Sequence, residues 1–245
     1  MSGRRTAATA GRVLTQLRHD PRTIALLLVV PPVLLTLLKY AFESDPAAFQ
    51  QIGGPLVGLF PFITMFLVTS ITMLRERTSG TLERLMSMPL AKLDLLAGYG
   101  IAFALVGGFQ AVIASFVAFG ALGLEVAGST AAVVALAVGN ALLGMSLGLF
   151  VSAFARTEFQ AVQFMPAFVF PQLLLCGLFV PRDQMAPLLE TISDAMPLTY
   201  AFEALQRVTV DGSLGTTGWI DVAVVIAATL AALGLGAATL RRRTP

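Results

Sequence analysis

The chain has 245 residues, 56% of them hydrophobic and only 12% charged, with a formal net charge of +2 and a mean hydropathy of +0.82. A soluble domain carries about a quarter charged residues, so this composition excludes one and gives an integral membrane protein. The single cysteine, Cys176, excludes an intrachain disulfide and a cysteine-based metal site.

In chain order, the N-terminal arm places Ala10, Val13, Leu14 and Leu17 at i, i+3, i+4 and i+7, with Arg12, Gln16 and Arg18 between them. That spacing predicts an interfacial amphipathic helix over 8–20, the alternative being a frayed basic tail. Apolar runs of about 20 residues, enough to cross roughly 30 Å of hydrocarbon, follow near 23–42, 55–74, 95–122, 130–155, 159–180 and 219–240. The expected fold is therefore all-α, a single transmembrane domain over 1–245 with six spans. The first run starts after the basic arm and no small-residue cleavage site follows it, so it is expected to be retained. Pro31-Pro32 removes two backbone donors at its centre and predicts a bend. Gly144 and Gly148 form a small-xxx-small pair, expected to serve close packing within one chain.

Between the second and third runs lies a charged insert, 75–94. Arg75, Glu76 and Arg77 end the apolar run, Gly80 breaks the chain, and Leu82, Leu85 and Met86 recur at helical spacing until Pro89. A short amphipathic helix on the membrane surface is expected, its apolar side facing lipid or socketed in a partner. A second unusual stretch, 181–218, is divided by Pro181, Pro187 and Pro197 but keeps many apolar residues, which predicts two short re-entrant helices in the outer leaflet. A small external cap is the alternative.

Charge sets the orientation. With the N-terminus inside, thirteen of the sixteen Lys/Arg fall on the inner side and Lys39, Arg182 and Arg207 on the outer side. The positive-inside rule then places both termini in the cytoplasm, and the basic balance reflects topology, not nucleic acid.

Absences narrow the mechanism. No charge lies in the middle of any run, so the ionisable relay of a proton- or ion-coupled carrier is missing. The only histidine is His19, in the N-terminal arm, so no histidine pair and no Ser-His pair can form inside the bilayer. The sequence has no Gly-x-x-x-x-Gly-Lys-Ser/Thr loop and cannot cradle ATP phosphates itself. The neutral polar residues Thr64, Thr69, Ser70, Gln110, Asn140, Gln163 and Gln172 are the candidates for lining a pathway, although each more commonly ties helices together.

The insert, with its charged pair, its Gly80-Thr81-Leu82-Glu83 core and its closing Pro89, resembles the segment after the second span of type 2 ABC exporter permeases, the ABC-2 family. Met196-Pro197-Leu198-Thr199-Tyr200 resembles the Pro-Leu-Thr-Tyr segment that such permeases carry before their last span. The resemblance implies a bacterial inner-membrane permease, similar to daunorubicin and antibiotic resistance permeases, that exports a drug, antibiotic or lipid. It implies no cofactor in this chain. Mg-ATP would sit on a separate ATPase subunit in two copies, beside a second permease chain, identical or homologous. It makes Arg75, Glu76, Arg77, Gly80, Thr81, Leu82, Glu83, Arg84, Leu85, Met86 and Pro89 an ATPase-coupling set, and Pro197, Leu198, Thr199 and Tyr200 an external re-entrant motif. Export of a lipid-linked glycan and a non-transporting membrane scaffold are the alternatives.

Overall fold

The computed structural model describes residues 2–87 and 91–239, and among them there is no strand. Ten α-helices follow in order: α1 Gly3–Arg18, α2 Pro21–Ala41, α3 Pro46–Thr78, α4 Thr81–Ser87, α5 Lys92–Ser115, α6 Thr130–Val151, α7 Glu158–Leu175, α8 Pro187–Asp194, α9 Pro197–Gln206 and α10 Gly215–Thr239. The helix of α5 continues as a π-turn over Phe116–Ala121, and that of α9 over Arg207–Asp211.

Local chemistry explains where the helices begin. Asp20 accepts the Thr23 amide at 3.2 Å and the Thr23 hydroxyl at 2.7 Å, and Pro21 fills the first position of α2, where a missing N–H costs nothing. The same Asp-Pro device starts α3, with the Asp45 carboxylate accepting the Ala48 amide at 3.2 Å. Thr157 caps α7 by accepting the Gln160 amide.

Among the described residues, five helices are long and apolar enough to cross a membrane: Pro21–Ala41, Pro46–Thr78, Leu93–Ala121, Thr130–Val151 and Gly215–Thr239. The remaining expected span, 159–180, is represented by α7, which has 18 residues and carries Glu158, Gln160, Gln163 and Gln172. It stops at Leu175 because the chain turns at Gly177, whose φ of +98° an L side chain rarely adopts. The second expected span lies within a longer helix, since α3 runs from Pro46 to Thr78 and its 33 residues extend about 50 Å, well beyond the hydrocarbon. Arg75, Glu76 and Arg77 are thus the last full turn of a long helix and not the start of a loop.

Lipid tails are as apolar as leucine, so span packing depends on close approach and not on burial of greasy surface. The closest approach is between α3 and α6. A Cβ on Gly144 would stand 2.1 Å from the Phe62 carbonyl oxygen, and one on Gly148 2.4 Å from that of Phe66. The Ser70 hydroxyl and the Asn140 amide tie the same pair of helices, donating to the Gly148 and Gly58 carbonyls. The glycine pair therefore serves packing within the chain, as its spacing predicts. By contrast α2 buries only Leu27, Pro31 and Leu35 and turns Leu26, Val29 and Leu37 outward.

The N-terminal arm is helical, and its apolar face is covered by protein. Thr9 lies against Gly98 of α5, where a Cβ would come within 2.5 Å, and Ala10 and Val13 join a buried cluster with Leu95, Leu96 and Tyr99.

Candidate coupling site and external cap

At the end of α3, three successive residues point about 100° apart around the helix, and each engages a different neighbour. Arg75 makes a bidentate pair with Glu158 at the start of α7, at 2.8 and 3.0 Å. Both side chains are more than half exposed, so the pair contributes at most about 1 kcal/mol. Glu76, 4% exposed, has Arg12 of α1 at 2.8 Å. The same guanidinium donates to the Tyr99 hydroxyl on α5 at 3.0 Å and lies 5.9 Å from the centre of that ring. Burial alone would pull the Arg12 pKa down, but the Glu76 carboxylate and Tyr99 outweigh it and the net direction is upward. Arg77 donates to the Thr239 hydroxyl at the end of α10 at 3.0 Å.

Beyond this turn Gly80, with φ +71°, reverses the chain in the left-handed conformation that ends many helices. A Cβ there would meet nothing within 4 Å, so the requirement for glycine is conformational and not steric. Helix α4 then begins at Thr81, whose hydroxyl lies 3.0 Å from that of Ser79. Leu82 is 6% exposed and, with Leu85, packs on the cluster of Ala10, Val13, Leu95 and Leu96. Leu82 and Leu85 of α4 thus pack on the chain's own core. Glu83 and Arg84 face outward. The Met86 side chain and Pro89 lie outside the described residues.

The expected coupling set therefore divides. Arg75, Glu76, Arg77, Leu82 and Leu85 hold the chain together, Gly80 makes the turn, and Glu83 and Arg84 are presented outward. The partners Arg12, Tyr99, Glu158 and Thr239 were not singled out from sequence. Nor was Asp94, buried on α5, which accepts the Ser2 amide at 2.9 Å. No local spacing links residues so far apart along the chain.

At the other end of the bundle, the two short helices expected over 181–218 are α8 and α9. Pro197 opens α9, Leu198 and Thr199 are fully buried, and the Tyr200 hydroxyl donates to the Asp194 carbonyl at 2.8 Å. The Thr199 hydroxyl donates to the Ser193 carbonyl at 2.9 Å, and the Ser193 hydroxyl to that of Leu175 at 2.8 Å, which fixes α8, α9 and the end of α7 together. The Pro-Leu-Thr-Tyr residues thus form a joint. Around it, Arg182 pairs with both Asp194 and Glu203, while Arg207 reaches Glu203 at 3.9 Å and the buried Asp221 of α10 at 3.2 Å. Burial opposes the charge on Arg182, yet the surrounding carboxylates, Glu203 foremost, raise its pKa. A cleft of about 310 Å³ opens beside this network. Among the described residues no three His, Cys, Asp or Glu side chains gather where they could hold a metal ion.

Residues 5–209 match the ABC-2 type transporter family. The chain belongs to that family. Among ABC-2 relatives, it is 28% identical to the probable multidrug ABC transporter permease YbhR of Escherichia coli, over 62% of this chain and 42% of YbhR. It is 26% identical to the probable multidrug ABC transporter permease YbhS of the same organism, over 86% of this chain and 56% of YbhS. It is also 27% identical to the linearmycin resistance permease protein LnrN of Bacillus subtilis, over 81% of this chain and 51% of LnrN. The chain thus spans about half the length of these curated relatives.

Proposed function

We propose that the chain is the membrane permease of an ATP-driven exporter of a hydrophobic or amphiphilic substrate, powered by a separate ATPase subunit. In this reading α2, α3, α5, α6, α7 and α10 are six spans of a bacterial inner-membrane protein with both termini cytoplasmic. Helix α1 lies at the inner surface, and α8 and α9 form the external re-entrant cap. Two ATPase copies carry Mg-ATP, and a second permease, identical or homologous, completes the assembly.

The observation that carries the reading is the two-sidedness of α4. Its apolar side is anchored on the chain's own core while Glu83 and Arg84 face outward at the end of a helix about 50 Å long. A force applied to that outward face reaches α3 through the Gly80 turn and α6 through the Phe62 and Phe66 contacts, because packed cores shift between discrete arrangements and do not yield gradually. The relatives' names, as multidrug and antibiotic resistance permeases, support an apolar or amphiphilic cargo for this chain too.

The test is purification of the tagged chain in mild detergent from its native host, with identification of copurifying subunits and measurement of ATP hydrolysis. A P-loop ATPase should copurify. Glu83→Arg should abolish export and reduce ATPase recovery without lowering membrane abundance, since the side chain is exposed and makes no hydrogen bond or ion pair among the described residues. Unaltered export by Glu83→Arg at equal abundance rejects the coupling role.

A further inference from the structure

A second cleft, of about 440 Å³, lies where α6 turns into α7, lined by Phe154, Arg156, Gln160, Gln163, Phe164 and Ala167. Its chemistry is one-sided. No acidic side chain lines it, and Arg156 has no ion-pair partner among the described residues. The acid nearest in sequence, Glu158, is turned to Arg75 in the bidentate pair. The Gln160 amide oxygen is already taken by the Arg156 backbone N–H at 2.9 Å, which leaves its NH₂ as the free group. The cleft is therefore lined by the cation Arg156 and the amide side chains of Gln160 and Gln163, beside two phenylalanines and an alanine.

Three other cations at this end of α3 have side-chain partners: Arg12 faces Glu76, Arg75 faces Glu158 and Arg77 meets Thr239. Of the four, Arg12 and Arg75 have carboxylate partners and Arg77 a hydroxyl, while Arg156 has no side-chain partner among the described residues. An unpaired guanidinium with its planar fork matches a phosphate, and favours a headgroup with net negative charge over one whose phosphate carries its own cation or a neutral one. The aromatic wall and the neighbouring exposed apolar face of α7, with Phe159 72% exposed, require that the anion be joined to an apolar body. We propose that this cleft is a binding site for an anionic amphiphile, an acyl-chain lipid whose phosphate headgroup sits on Arg156 with Gln160 and Gln163, and whose chains lie along Phe154 and Phe164. Under the orientation proposed above, it opens to the inner leaflet, and the site deepens that reading by naming a class of amphiphile the permease recognises.

The test needs neither an ATPase nor export, so its outcome is independent of the exporter reading. The purified full chain in mild detergent is titrated with phosphatidylglycerol and, separately, with phosphatidylcholine of the same acyl chains, and bound lipid is counted by native mass spectrometry. The wild-type chain is expected to retain one phosphatidylglycerol about tenfold more tightly than phosphatidylcholine. Arg156→Gln should remove that preference, Arg156→Lys should keep part of it, and Arg22→Gln, a cation on the same side but outside the cleft, should leave it intact. Ala167→Trp, at an exposed cleft position, should exclude both lipids while the protein remains monodisperse. An undiminished preference in Arg156→Gln, or equal loss in Arg22→Gln, overturns the proposal. Displacement of the lipid by inorganic phosphate at comparable concentration overturns it as well, because the site would then be one for a free anion.

Discussion

The two ends of the bundle are both held by charged side chains, but they are wired differently. At the α4 end the ties radiate from one helix: Arg75, Glu76 and Arg77 of α3 each reach a separate neighbour, α7, α1 with α5, and α10. At the cap end they run in series, Asp194 to Arg182 to Glu203 to Arg207 to Asp221, through short elements that end on the long helix α10. A radial set can lose one member and keep the others. A series loses the electrostatic balance of its neighbours with each member removed.

That contrast can be broken experimentally, and the largest effect should come from the buried pair. Glu76→Ala leaves Arg12 without its counter-ion in a site where Glu76 is 4% exposed, and should cost about 3 kcal/mol, read as a lowered thermal midpoint in detergent. Replacing Arg12 and Glu76 together by Met and Leu should recover most of that loss, since uncompensated charge and not the missing attraction dominates the penalty. A midpoint unchanged by Glu76→Ala would mean that water already reaches the pair.

Next in size is Arg182→Ala, expected to cost about 1–2 kcal/mol because it strands two carboxylates at a partly exposed site. Combined with Asp221→Asn at the far end of the series, it should depart from additivity by at least about 0.5 kcal/mol. Additivity there would show that the cap is not wired in series.

The smallest effect is Arg75→Ala, within about 0.5 kcal/mol, as both partners are more than half exposed. Its cost should simply add to that of Glu76→Ala in the double variant, which a thermal-shift comparison of the four proteins checks. Non-additivity would join the two ties and remove the distinction between the ends.

Much of this arrangement was legible from the residues, and the failures have physical reasons. Apolar runs located the cores of the spans because hydrocarbon thickness fixes a minimum length. They did not mark the end of helix α3, since arginine and glutamate signal departure from the hydrocarbon without breaking a helix, whereas Gly80 breaks it. They overran α7 for the related reason that Cys176 to Val180 is apolar enough to continue while Gly177 turns the chain. Helical spacing identified Leu82 and Leu85 as one face of α4, but periodicity does not say whether lipid, a partner or the chain's own core covers that face. The pairing of Glu76 with Arg12 was out of reach for a similar reason: it depends on how α1 lies against α5, which no local pattern encodes. The Pro-Leu-Thr-Tyr segment was legible as a motif, and only the hydroxyl bonds of Ser193 and Thr199 reveal it as a joint.

The tight seat of Phe62 and Phe66 on Gly144 and Gly148 falls close to the middle of α3. A beam held at its centre is a lever, and what enters one end leaves the other reversed. From Phe62 to Thr78 no proline interrupts the helix, so this stiff arm, about 24 Å long, swings its tip by roughly 2 Å for a tilt of about 5°. The opposite arm contains Pro55 and Pro61 and is compliant. In a tilt it would absorb part of the movement before the rest reached Thr209 and Leu205, on which Gly54 and Gly58 rest. Any tilt of α3 about this seat would therefore be geared unequally, with the larger displacement beside α4 and a damped, opposite one beside Gly54 and Gly58.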